Sequence, residues 1–96
     1  MSDFINFEYK KTKSKEEAYQ KIKSKVTEDS LKRMNVKADI YYDDETYRIT
    51  ARGKGFSFDV DFFENDARGD LQLGFLLRPF EDKIKKALKN KISTLV

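Results

Sequence analysis

Phe56, Phe58, Val60 and Phe62 alternate with Ser57, Asp59 and Asp61, the clearest pattern in the chain. This period of two predicts a strand with one apolar and one polar face. The alternation recurs at 36–43, where Val36, Ala38, Ile40 and Tyr42 share a face, and at 46–53 with Tyr47, Ile49 and Ala51. It recurs again at 70–75 with Leu71, Leu73 and Phe75, while Ile5, Phe7 and Tyr9 mark an earlier strand within 4–11. DDE at 43–45, GKG at 53–55 and ENDARG at 64–69 separate the later strands and are read as turns. Four consecutive strands joined by short turns form an antiparallel meander with one apolar face.

Two segments follow a helical period instead. SKEE at 14–17 is a capping box with Ser14 as N-cap. A helix is predicted from there into the low thirties, loosening near Asp29 to Arg33, with a narrow apolar stripe of Ala18, Tyr19, Ile22 and Val26. The second helix opens at Pro79, whose missing N–H costs nothing in a first turn. Its stripe is Phe80, Ile84, Ala87, Leu88 and Leu95, with Asp82, Lys85, Lys86 and Lys89 opposite; Lys91 falls inside the apolar stripe and is the anomaly. Neither helix buries its stripe alone. The reading is a two-layer α+β domain spanning 1–96: strand, helix, four-stranded antiparallel meander, helix, with both helices on the apolar face of one sheet.

Composition narrows the chemistry. The 96 residues include no cysteine and no histidine, so thiolate chemistry, disulfides and the commonest general base and zinc ligand are missing. Charged residues make up 39% of the chain but nearly balance, at a net +3, and the 14% of aromatic residues argues for a packed core. No apolar run approaches the length of a bilayer span, and no signal-peptide pattern opens the chain; a cytoplasmic protein is expected. Basic residues outnumber acidic ones in 1–33 and 78–96 and are outnumbered in 34–77.

Individual motifs point mainly to structure. Asp59 and Asp61 share a strand face, but Arg48 on the neighbouring strand falls opposite one of them, and a cross-strand ion pair is the expected use. DDE at 43–45 is read as a solvated turn, and RGD at 68–70 as a chance match in a hairpin. No nucleophile–base pair, phosphate loop or metal-spaced cluster appears, so no catalytic residue, cofactor or metal is expected, nor an enzyme. The inward aromatics, among them Phe7, Tyr42, Phe56, Phe58, Phe75 and Phe80, are numerous for a small domain. They serve either a filled core or a cavity gripped between sheet and helix.

The run GKGFSFDVDF…DLQLGFLLRPFEDKIKKALKNKI resembles the bacterial polyhydroxyalkanoic acid system protein family. The matching pieces are Gly53, Gly55, Leu73, Gly74, Leu76, Leu77, Pro79, Phe80, Ile84 and Ile92, within residues 47–92. Over 1–46 only the element order agrees, and Tyr41-Tyr42 stands where the family often has a tryptophan. The resemblance implies association with polyester storage granules and no catalytic residue.

Three functional expectations follow. The first is a non-enzymatic accessory protein that binds an apolar ligand or a polyhydroxyalkanoate granule through Leu76, Leu77, Phe80, Ile84 and Leu88. Because Leu76 and Leu77 are adjacent in an extended segment, one of them must find cover outside the core. The second is a basic nucleic-acid-binding module using Lys10, Lys11, Lys13, Lys85, Lys86 and Lys89, with binding that weakens as salt rises. The third is a homodimer covering the last helix or a sheet edge.

Overall fold

The computed structural model describes residues 4–33 and 35–96. Its elements are β1 (Phe4–Glu8), α1 (Lys15–Lys25), α2 (Glu28–Arg33), β2 (Ala38–Asp43), β3 (Arg48–Gly53), β4 (Phe56–Phe62), β5 (Asp66–Leu73) and α3 (Glu81–Ser93), the last preceded by a 3₁₀ turn at Arg78–Phe80. The five strands form one antiparallel sheet in the order β1-β5-β4-β3-β2. The fold is α+β, with the predicted meander and β1 added to its β5 edge.

The register arranges the inward side chains in rows across the sheet. Phe7, Ala67 and Phe62 form one row; Ile5, Gly69, Val60, Ile49 and Tyr42 form the next. Leu71, Phe58, Ala51 and Ile40 follow, and Leu73, Phe56, Gly53 and Ala38 lie at the β3–β4 hairpin end. Ala18, Tyr19 and Ile22 of α1 and Ile92 of α3 are buried with these strand residues in one cluster. Each large apolar side chain so buried stabilises the fold by about 1.5–3 kcal/mol.

The first helix is broken where an unbroken run was expected. Ser14 caps it as predicted, its Oγ accepting the Glu17 N–H at 3.2 Å. At Val26 the backbone becomes extended and α1 stops. Thr27 and Ser30 then cap α2 reciprocally: Ser30 Oγ accepts the Thr27 N–H at 2.9 Å, and Thr27 Oγ1 accepts the Ser30 N–H at 3.2 Å. The competing hydrogen bonds of these hydroxyls end one helix and begin another. The break seats α2 over the edge strand β2, where a Glu28 carboxylate oxygen accepts the Ile40 N–H at 3.2 Å.

The segment 64–69, expected as a turn, contributes most of its length to a strand. β5 begins at Asp66, and the RGD tripeptide lies within it rather than in a hairpin loop. Ala67 and Gly69 point inward and are buried, and Gly69 leaves room for the rings of Phe7 and Phe58. At its other end β5 stops at Leu73, short of the predicted residue 75. Gly74 still donates to Gly55 O at 2.7 Å, but Gly55 already belongs to the hairpin turn before β4, and the ladder ends there. The chain turns back, with Leu77 and Arg78 both donating to Gly74 O, and Phe75 is left outside the core.

Phe80 also leaves the apolar stripe assigned to it. It ends the 3₁₀ turn, whose three residues per turn put it out of phase with the α-helix that follows. β1 likewise ends at Glu8, although Tyr9 still packs on the core and its hydroxyl reaches the carbonyls of Phe63 and Asp66 at 2.8 Å each.

The outer sheet face carries the expected ion pairs. Arg48 stands opposite Asp61 and reaches both Asp59, at 3.4 Å, and Asp61, at 3.6 Å. The acidic turn also has structural work: Asp43 Oδ1 accepts the N–H groups of Glu45 and Thr46, and Asp44 Oδ1 accepts from Tyr19 and Lys23.

Candidate functional site

The helical layer covers the sheet unevenly. α1 crosses β4, α2 lies on β2 and α3 runs beside β1. Between them, over the hairpin half of the sheet, remains a cavity of about 720 Å³. Its floor is Ile40, Ile49, Ala51, Phe58, Val60 and Leu71, continued by Phe56 and Leu73. Ile22, Val26 and Leu31 wall one side, and Ile84, Leu88 and Ile92 the other.

The opposite half of the sandwich is filled. There the Tyr19 ring meets Tyr47 and Phe62 edge-on, with centroids 5.2 and 5.6 Å away, over the row of Phe7, Ala67 and Phe62. The Tyr19 hydroxyl donates to Asp44 Oδ1 at 2.6 Å and Lys23 Nζ donates to the same oxygen at 2.9 Å. Burial, and then the bond to Asp44, raise the phenol pKa well above its usual 10.0. The Tyr19 and Lys23 bonds hold the Asp44 carboxyl below its usual 3.8. The two readings of the aromatic set each describe one half: core at the Tyr19 end, cavity at the hairpin end.

The cavity wall is apolar except for Ser30, Asn35, Lys37, Lys54 and Lys91. Ser30 is half-buried and occupied in its cap with Thr27, whereas Asn35 and the three lysines are exposed and mark the rim. Lys91, out of place in an apolar stripe, lines the cavity with Ile84 and Leu88 and accounts for the anomaly in the helical pattern.

The residues expected to make apolar contact divide into two groups. Leu77, Ile84 and Leu88 line the cavity. Leu76 and Phe80 do not; they are 74% and 52% exposed, and Phe75 beside them is 76% exposed. Of the adjacent leucines, Leu77 turns toward Gly55 and the cavity and Leu76 toward solvent. Phe75, Leu76 and Phe80 thus form an apolar lip next to the Leu77 end of the cavity.

The six lysines named for phosphate contact lie on two elements. Lys10, Lys11 and Lys13 are exposed on the loop after β1, and Lys86 and Lys89 are exposed on α3. Lys11 Nζ donates to Thr94 O at 2.8 Å, and Lys85 pairs with Glu81 at 3.5 Å. No helix among the described residues is long and apolar enough to cross a membrane. No known protein family, curated protein or solved structure matches the chain.

Proposed function

We propose that this is a non-catalytic binding protein that holds an apolar ligand between its helices and sheet and meets the ligand's source through the lip of Phe75, Leu76 and Phe80. The observation that carries the reading is the cavity. Protein interiors are close-packed, and voids larger than a water molecule are few. A space of 720 Å³ walled almost wholly by aliphatic and aromatic side chains has the size and character of a small-molecule site, typically about 300–1,000 Å³. An exposed apolar lip beside it supplies a place where an apolar surface or molecule first makes contact. The resemblance of residues 47–92 to polyhydroxyalkanoic acid system proteins makes a polyester granule the surface to try first.

The test is displacement of a solvent-sensitive apolar dye from the purified protein by long-chain alcohols, with a salt titration alongside. Dye binding that resists salt and is lost when Ala51→Trp fills the floor supports the reading. A protein that binds neither dye nor alcohol overturns it, and binding to polyanions that disappears with salt would favour the basic residues instead.

A further inference from the structure

We infer that the ligand of this cavity is a single-chain amphiphile with an anionic head group, its tail on the apolar wall and its head held at the rim by Lys91 with Lys37 and Lys54. The inference rests on the cavity reading above and adds the chemistry of the head group.

Three observations carry it. The charged side chains that line the cavity are all lysines, although the chain holds 17 carboxylates to its 20 basic residues. A uniform sign of charge around an apolar concavity focuses attraction on a ligand of the opposite sign. Second, Lys91 sits on the apolar face of α3 together with Ile84 and Leu88, away from Lys86 and Lys89 on the other face. Third, Lys37, Lys54 and Lys91, like Lys86 and Lys89 on the outer face of α3, have no ion-pair or hydrogen-bonding side-chain partner among the described residues, so no carboxylate among them neutralises the charge at the rim. The rim ammonium groups are left for a ligand.

The chemistry follows from this placement. The apolar wall selects a hydrocarbon tail, each methylene it buries adding affinity. Among the described residues the rim offers donors and positive charge but no carboxylate, which suits an acceptor-only anion, a carboxylate or a phosphate, through charge-assisted hydrogen bonds. A cationic head would meet three like charges. The aliphatic stem of Lys91 also covers apolar wall, so the test must remove its charge and keep the stem.

The experiment compares four probes with the same tail, laurate, dodecyl phosphate, dodecanol and dodecyltrimethylammonium, by dye displacement below their micellar concentrations. Laurate or dodecyl phosphate, or both, should bind about tenfold tighter than dodecanol at low salt, and dodecyltrimethylammonium weaker than dodecanol. The better of the two anions identifies the head group. Lys91→Met should shrink the preference for the anions over dodecanol at least about threefold, and Lys37→Met/Lys54→Met/Lys91→Met should abolish it. Dodecanol binding as tightly as both anions, or a preference that survives the triple variant, would overturn the head-group inference and leave the cavity reading standing. Failure of all four probes to bind would remove both.

Discussion

The ring of Phe58 on β4 lies so close to the backbone of Gly69 on β5 that a Cβ at residue 69 would come within 2.6 Å of its Cζ, and within 3.1 Å of Cε2 of Phe7. Both rings are buried in the core, so neither swings aside into solvent. Gly69→Ala should therefore destabilise the protein by about 1–3 kcal/mol, the usual cost of overpacking. A lowered urea midpoint with an unchanged slope would show it. Gly69→Ala as stable as the parent would mean that the sheet relaxes around the added methyl group.

The same pair shows why part of the fold escapes a reading of the sequence. The period of two reveals strands through large apolar residues, and Phe56 to Phe62 display it without ambiguity. Ala67 and Gly69 occupy equivalent inward positions but are small, and at Gly69 the rings of Phe58 and Phe7 take the space a side chain would fill. Small inward residues next to Asn65 and Asp66 look like a turn until the partner strand is known. The break after α1 is hidden for another reason: Val26 continues the apolar stripe while the Thr27–Ser30 hydroxyl exchange ends the helix. The cavity left two traces, an aromatic set large for a small domain and a lysine at an apolar position of α3. The lip left a partial trace, since one of the adjacent Leu76 and Leu77 has to face outward; the exposure of Phe75 and Phe80 follows from the end of the β4–β5 ladder and the 3₁₀ turn at Phe80, which depend on tertiary pairing.

Acid and alkali should each destabilise the protein in part through the Tyr19–Asp44 contact. The Asp44 carboxyl is lowered in the folded state, so its contribution is present above its usual pKa of 3.8 and is lost as pH falls through the folded value. The Tyr19 phenol is raised, so its contribution is present below its usual pKa of 10.0 and is lost as pH climbs above it. Tyr19→Phe should flatten both arms of the stability–pH curve, and Asp44→Asn chiefly the acid arm. Urea midpoints at about pH 3, pH 7 and pH 11 distinguish these outcomes. Unchanged arms in both variants would assign the pH response to other groups.

Val96 should behave as a core residue, although it stands beyond α3. Its side chain is fully buried, and its carbonyl oxygen accepts the N–H groups of Lys10, Lys11 and Thr12 at 2.7, 2.6 and 3.0 Å. Thr12 Oγ1 adds a fourth bond at 3.2 Å. These contacts tie α3 to the loop between β1 and α1 and fix one wall of the cavity. Val96→Ala should cost about 2 kcal/mol from the lost methyl groups and the space left behind. Thr12→Val keeps the shape and removes only the hydroxyl bond, which predicts a smaller loss of about 0.5–1.5 kcal/mol. Thermal unfolding of the two variants should rank them in that order.

The lip and the cavity should separate by mutation, because they bury different sides of one short segment. Leu76 and Phe80 are exposed and support little packing, so Leu76→Asp and Phe80→Asp should change stability by no more than about 0.5 kcal/mol. If the lip is the surface contact, either variant should reduce adsorption to polyhydroxybutyrate granules or apolar beads several-fold and leave dye affinity in solution unchanged. Leu77 faces the other way, into the cavity beside Gly55, so Leu77→Asp should weaken dye binding and also destabilise the fold by placing a carboxylate on an apolar wall. Ala51→Trp should show the converse of the lip variants, with adsorption kept and dye binding lost, because Ala51 lines the cavity and Leu76 does not. Parallel loss of both readouts in every variant would mean that cavity and lip act as one surface. Loss of neither in Leu76→Asp and Phe80→Asp would remove the lip from the binding reaction.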